Sequence, residues 1–197
     1  GETGDAKVAW EPSRHQHLGV LGRAYRLTGD ERYATKVVEQ ILSWIEQCPF
    51  GVGIQWRSPL ELAVRVINWS WALALIEGTP CLTSDVRRTI IPAAYRHLWE
   101  IARKYSRFSS ANNHRIGEAA GVYIGSRFLE SLCEAKTWAV QAKAILCEEM
   151  ERQVLPDGGH AELATGYHLF CLEFFLYAGL AGRWTGEEFP PAYWARL

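Results

Sequence analysis

The residues best equipped for chemistry are Asn112-Asn113-His114-Arg115-Ile116-Gly117-Glu118, with the Tyr167-His168 pair further along the chain. Two adjacent carboxamides and an imidazole open an apolar helical run, where backbone N–H groups also lack intrahelical partners. Such a cluster suits an anion the size of a carboxylate. Tyr167 adds a hydroxyl able to take or give a proton at a carbon or an ether oxygen, once neighbouring positive charge lowers its reference pKa of about 10. Together these groups point to proton abstraction beside a carboxylate. The plain alternative is an ordinary Asn helix cap and a tyrosine packed in an aromatic core.

Positive charge is local to this cluster. Between Arg103 and Arg115 the chain carries Arg103, Lys104, Arg107 and Arg115 with no carboxylate. The formal net charge is -1 and the pI about 6.7, which argues against a nucleic-acid module held by a basic field. No apolar run reaches the roughly eighteen residues that would suggest a membrane span, and residues 1–20 hold no secretory signal pattern. The five cysteines, Cys48, Cys81, Cys133, Cys147 and Cys171, contain no CxxC pair and are odd in number. They are expected to be buried free thiols, with Cys133 and Cys147 on one helix face, and neither a metal site nor a cofactor is implied.

The elements that must position the cluster read as helices throughout. Pro12 is expected to start a helix that Gly29 ends; Asp30 caps the next, with Tyr33, Val37, Ile41, Trp44 and Ile45 turned inward. Residues 48–57 form a Gly-rich loop ending in Trp56, which could serve as an aromatic platform. Ser58-Pro59-Leu60-Glu61 has the pattern of a capping box with proline at the first helical position. Glu61, Arg65 and Asn68 then share one stripe, either an exposed ion pair or, with Arg65, the wall of a cleft. Residues 84–104 supply the partner helix. Gly117, Gly121 and Gly125 recur at four-residue intervals on the Asn-Asn-His helix, a strip that admits another helix closely, so this helix should be central. Ser131-Leu132-Cys133-Glu134 is expected to cap the following helix, another runs on from about Glu162, and Pro190-Pro191 opens a last one.

With 48% apolar residues and no period-two alternation, the chain reads as one all-α domain of antiparallel helical hairpins. About seven helices, no sheet and an open arc with apolar surface at its ends are expected. Irregular hairpin lengths and long Gly-rich loops favour part of an α/α toroid over a tetratricopeptide-like superhelix.

In order along the chain, DAKVAWEPSR (5–14), LTGDERYA (27–34), QWRSPLE (55–61) with Arg65, NNHRIGEAAG (112–121) and LPDGGHAELATGYH (155–168) resemble the heparinase II/III-like polysaccharide lyases. The resemblance implies that residues 1–197 are part of a single, incomplete α/α toroid, with earlier helices and a C-terminal β-sandwich domain outside this chain. It implies a carbon–oxygen lyase acting on an acidic, uronate-containing polysaccharide, heparin- or heparan-sulfate-like or related, by β-elimination. This piece alone would be inactive, and the whole protein periplasmic or secreted. In the implied site Asn113 bonds the uronate carboxylate, His114 sits beside it, and Tyr167 is the acid or base. Trp56, Arg65, Arg107, Asn112, Arg115 and His168 would contact polymer, while Glu61, Glu118 and Glu162 support, Glu118 by fixing the His114 ring. Two rival readings are a non-catalytic helical scaffold or sugar-binding protein of polysaccharide biosynthesis, and a glycoside hydrolase using two of these three carboxylates.

Overall fold

The computed structural model describes residues 4–129 and 131–197, and among them every regular element is helical, with one isolated bridge between Val154 and His160. The α-helices are α1 (Ala6–Ser13), α2 (Gln16–Thr28), α3 (Glu31–Gln47), α4 (Pro59–Leu75), α5 (Ser84–Arg103), α6 (Asn113–Phe128), α7 (Ala135–Gln153), α8 (Thr165–Trp184) and α9 (Pro191–Arg196). Single 3-10 turns at Ile54–Trp56 and Phe108–Ser110 lie in the loops before α4 and α6.

Among the described residues nine α-helices stand where about seven were expected, and local chemistry at the first segment explains part of the difference. Asp5 caps α1 by accepting from the Lys7 amide, so the chain is already helical before Pro12 and the proline falls in the last turn rather than the first. His15, at φ 59, then breaks α1 from α2. The capping box at Ser58 does not form either. Pro59 starts α4 as expected, but Ser58 makes no side-chain cap and Glu61 is drawn away to Arg14. Helix α7 begins after the Ser131–Glu134 stretch without a side-chain cap, and α8 begins at Thr165 because Leu163 is left-handed (φ 52). The cysteines are free, yet only Cys171 is buried, Cys133 is exposed, and Cys133 precedes α7 instead of sharing its face with Cys147.

Helices α2, α4, α6 and α8 form one parallel layer, with α3, α5 and α7 antiparallel against them. The glycine strip reveals the register. A Cβ on Gly117 would meet Leu60, one on Gly121 would meet Ala63, and one on Gly125 would meet Val66, so α4 and α6 advance together. Gly117 also lies on Phe174 and Gly182 on Tyr123, which sets α8 parallel to α6. On the other side Ser13 lies against Arg65 and Gly22 against Leu75, so α2 runs with α4. Four helix N-termini therefore share one end of the layer. Their partial positive charges add there, and the loops carrying Trp56, Arg107, Asn112 and Glu162 converge on the same end.

Helix α4 is the common wall of two cores, one with α2, α3 and α5 and one with α6, α7, α8 and α9. On α8 the residues Leu169, Tyr177, Leu180 and Trp184 remain exposed, and Tyr177 and Leu180 among them line a cleft between α2, α4 and α8. Gly121 sets the closest approach: a Cβ there would lie 2.6 Å from Ala63 Cβ and 2.7 Å from its Cα, where backbone must move. Gly121→Ala is expected to destabilise by about 1–3 kcal/mol through overpacking. Gly19→Ala, in a helix with open space at the site, should be neutral or stabilising. Urea unfolding of both variants checks the pair, and a Gly121→Ala protein as stable as wild type would contradict the packing.

Candidate active site

Helix α6 starts with three carboxamide or amide donors in one place. Asn112 is the N-cap, its side-chain oxygen accepting from the His114 amide at 3.1 Å. Asn113 is buried, and both its backbone N–H (2.9 Å) and its Nδ2 (2.8 Å) donate to Glu162 Oε1. A carboxylate thus already occupies the donors that the sequence suggested would hold one. The preference is physical, since the helix N-terminus, its free amide and the carboxamide all favour negative charge.

His114 is half-buried beside this pair. Burial pushes its imidazole below the ordinary value, while the Glu162 and Glu61 carboxylates oppose the shift, so the ring is neutral near pH 7 and can accept or donate a proton. Tyr167 lies in the first turn of α8, 46% exposed, and its hydroxyl makes no hydrogen bond among the described residues. It is free to meet a ligand. The adjacent His168 instead lines a small recess with His160 and Cys171, so the Tyr-His pair divides between two surroundings.

Several expected partners take structural roles. Arg65, placed by expectation on a cleft wall, is fully buried: its Nε donates to the Ser13 carbonyl at 2.7 Å, Nη1 meets His97 Nε2 at 3.1 Å, and its guanidinium lies 4.1 Å from the Trp44 ring centroid. Burial lowers its pKa to about 10 and that of His15 to about 4. The stripe Glu61-Arg65-Asn68 is not a surface ion pair and Arg65 is not a cleft wall: the three grip the turn between α1 and α2, with Asn68 Nδ2 donating to the Arg14 carbonyl at 2.9 Å, and Asn68 alone of them also lines a cleft between α2, α4 and α8. Trp56 packs among Trp44, Phe50 and His97 and donates to the Cys48 carbonyl, which makes it core more than platform. Arg115 is held by buried Glu149 at 2.9 Å, whereas Arg107 is exposed and without an ion pair among the described residues.

Glu118 does not fix the His114 ring. It is buried and accepts from Ser106 N (2.6 Å) and Ser106 Oγ (2.7 Å), pinning the cationic loop to α6. Burial outweighs these bonds and raises its carboxyl to about 6 from 4.5. A raised acid binds its proton more tightly in the folded than in the unfolded chain. Its contribution to stability is therefore full below about pH 4.5 and is lost as pH rises through about 6, amounting to about 2 kcal/mol. Glu118→Gln can keep the Ser106 contacts and cannot ionise, so its stability should vary less than wild type between those pH values. Denaturant titration at several pH values checks it, and identical slopes would contradict it.

Sequence reasoning missed Arg14. Its guanidinium grips Glu61 through Nε (2.8 Å) and Nη2 (2.7 Å), also pairs with Glu11, and lies 5.9 Å from the Phe170 ring on α8. The hydrogen bond to Glu61 raises its pKa further. It thereby neutralises a carboxylate near His114 and ties α1, α4 and α8 together at the site. Its signal was position alone, in a quoted motif with no visible partner. Left-handed non-glycine residues also cluster at this end: His15, Phe108 (φ 55) and Leu163 each lie in a loop that enters a helix of the parallel layer. Strain of this kind concentrates at functional sites.

A parallel layer of helices backed by antiparallel partners, with an anion-favouring edge at its N-termini, defines a fragment of an α/α toroid. The chain belongs to the heparinase II/III family: residues 2–197 match its N-terminal domain model. It is 27% identical to a heparin-sulfate lyase of Bacteroides stercoris, matching over 96% of this chain and 31% of that protein. To the heparin-sulfate lyase of Pedobacter heparinus it is 29% identical, over 96% of this chain and 29% of the relative. A solved heparinase III superimposes with a TM-score of 0.75 and 27% identity, covering 98% of this chain and 33% of that one. The heparan sulfate lyase HepC of Pedobacter heparinus shares the fold, with a TM-score of 0.78 at 24% identity over 98% of this chain and 31% of the other. The chain thus spans about a third of the length of these relatives.

Proposed function

We propose that the whole protein is a polysaccharide lyase that cleaves an acidic, uronate-containing polymer by β-elimination, and that this chain carries the carboxylate-binding and proton-transferring side of its site. The observation that carries the reading is the double donation from Asn113 to a carboxylate at the start of α6. In the proposed reaction the uronate carboxylate takes these donors, with Glu162 displaced or sharing them. Charge then develops on that carboxylate as the C5 proton leaves, and the fixed donors and helix N-terminus stabilise it. The C5–H electron pair forms the C4–C5 double bond and the 4-O-linked sugar departs. In this reading Tyr167 moves a proton at the carbon or at the leaving oxygen, and neutral His114 supplies a second group able to carry one.

The hydrolase alternative needs two available carboxylates, yet Glu118 is buried on Ser106 and Glu61 is clamped by Arg14. Arg107, exposed and without an ion pair among the described residues, supplies a charge for the polymer. Arg107→Ala in the full-length protein should weaken polymer affinity mainly at low salt, an effect that a titration at two ionic strengths measures. Incubation of the full-length protein with a panel of uronate polysaccharides, followed by the ultraviolet absorbance of the unsaturated product, tests the function itself. Absorbance from at least one polymer is expected. Its absence from all of them would leave a non-catalytic sugar-binding scaffold in its place.

A further inference from the structure

The opposite end of α6 holds a second recess, about 340 Å³, between α6, α7 and the turn after α8. It lies about 20 Å along the helix from Asn113, taking 1.5 Å per residue. Three cations line it. Arg127 reaches Thr185, Lys143 Nζ donates to the Glu187 and Glu188 carbonyls at 3.1 and 2.8 Å, and Lys136 is exposed with no partner among the described residues. Among the described residues the one acid in the lining is Glu187, whose side chain is 57% exposed and whose carboxylate stands 3.9 Å from Lys143. The first turn of α7 forms part of the wall, and no side chain caps it, so the positive end of a nineteen-residue helix adds to the three cations.

The second observation is Ser126. It is 1% exposed, lines the recess, and its Oγ has no hydrogen-bond partner among the described residues. A buried hydroxyl left without a partner is costly, and buried polar groups are nearly always satisfied by something. An oxyanion in the recess would accept from that hydroxyl and from Lys136 and Lys143 at once.

We propose that this recess binds a tetrahedral oxyanion of the sulfate or phosphate kind, either free or carried on a small molecule. Its size admits such an anion with an attached monosaccharide. Chemistry and position separate it from the candidate active site: the donors are ammonium and hydroxyl groups rather than carboxamides, and no residue is shared. It is not needed for the proposed elimination and stands or falls independently of it.

The test is calorimetric titration of the full-length protein at low ionic strength with inorganic sulfate, with inorganic phosphate and, separately, with a monosulfated glucosamine. Wild type is expected to bind them, tighter sugar binding pointing to a carried anion and the reverse to the free ion. Lys136→Ala and Lys143→Ala should each weaken binding on the order of tenfold. Ser126→Ala should weaken it without loss of folding, and Glu187→Gln should strengthen it by removing a competing charge. Asn113→Ala should leave it unchanged. No binding of any probe, binding unaffected by both lysine variants, or binding abolished by Asn113→Ala would overturn the proposal. The last would place the anion at the other end of α6.

Discussion

Tyr167→Phe in the full-length protein is expected to lower the elimination rate by at least about a hundredfold while leaving polymer affinity and folding nearly intact. The substitution keeps the ring and removes only the hydroxyl. That hydroxyl is bonded to nothing among the described residues and the side chain is half exposed, so the fold loses no internal contact with it. Any large effect must then come from the reaction. Steady-state rates on a cleaved polymer, paired with thermal unfolding of both proteins, give the comparison. Equal rates for wild type and variant would remove the tyrosine from the chemistry.

Asn113→Ala should slow turnover by an amount typical of losing one oxyanion donor, on the order of 3 kcal/mol or a hundredfold. Its signature differs from that of Tyr167→Phe. Asn113 is buried and its Nδ2 holds Glu162, so truncation also leaves that carboxylate with one donor fewer. A loss of about 1 kcal/mol in stability should accompany the loss of rate. Because Glu162 favours the charged form of His114, releasing it should also shift the His114 titration, which NMR of the ring protons reads. A variant with unchanged rate and an unchanged His114 pKa would contradict the placement of Asn113 at the centre of the site.

The parts of this architecture legible in the sequence are those fixed by local chemistry. Asp30 caps α3, Pro59 opens α4, Asn112 caps α6, and the Gly117-Gly121-Gly125 strip admits α4, because each depends on neighbours in sequence or on a missing Cβ. What was not legible depends on pairing across the chain. Glu61 has the right spacing for a capping box, yet a bidentate guanidinium from another element wins it, since a charge-assisted pair outweighs a neutral cap. Arg65 looked like a cleft residue because nothing in its neighbourhood reveals that Trp44, His97 and the Ser13 carbonyl enclose it. Glu118 sits one turn after His114 and so appeared to serve it, but the intervening loop folds back and delivers Ser106 instead. Periodicity names the faces of a helix and leaves open which distant groups arrive on them.

Elimination and hydrolysis of the polymer differ in the origin of the oxygen in the products. Full-length protein is incubated with a uronate polysaccharide in heavy-oxygen water and the products are weighed by mass spectrometry. Elimination uses no water, so one unsaturated fragment and one saturated fragment are expected, neither carrying solvent oxygen beyond the slow exchange seen in an enzyme-free control of the same sugars. Fragments that are all saturated, with one solvent oxygen incorporated for each bond broken, would contradict elimination and assign the cleavage to hydrolysis.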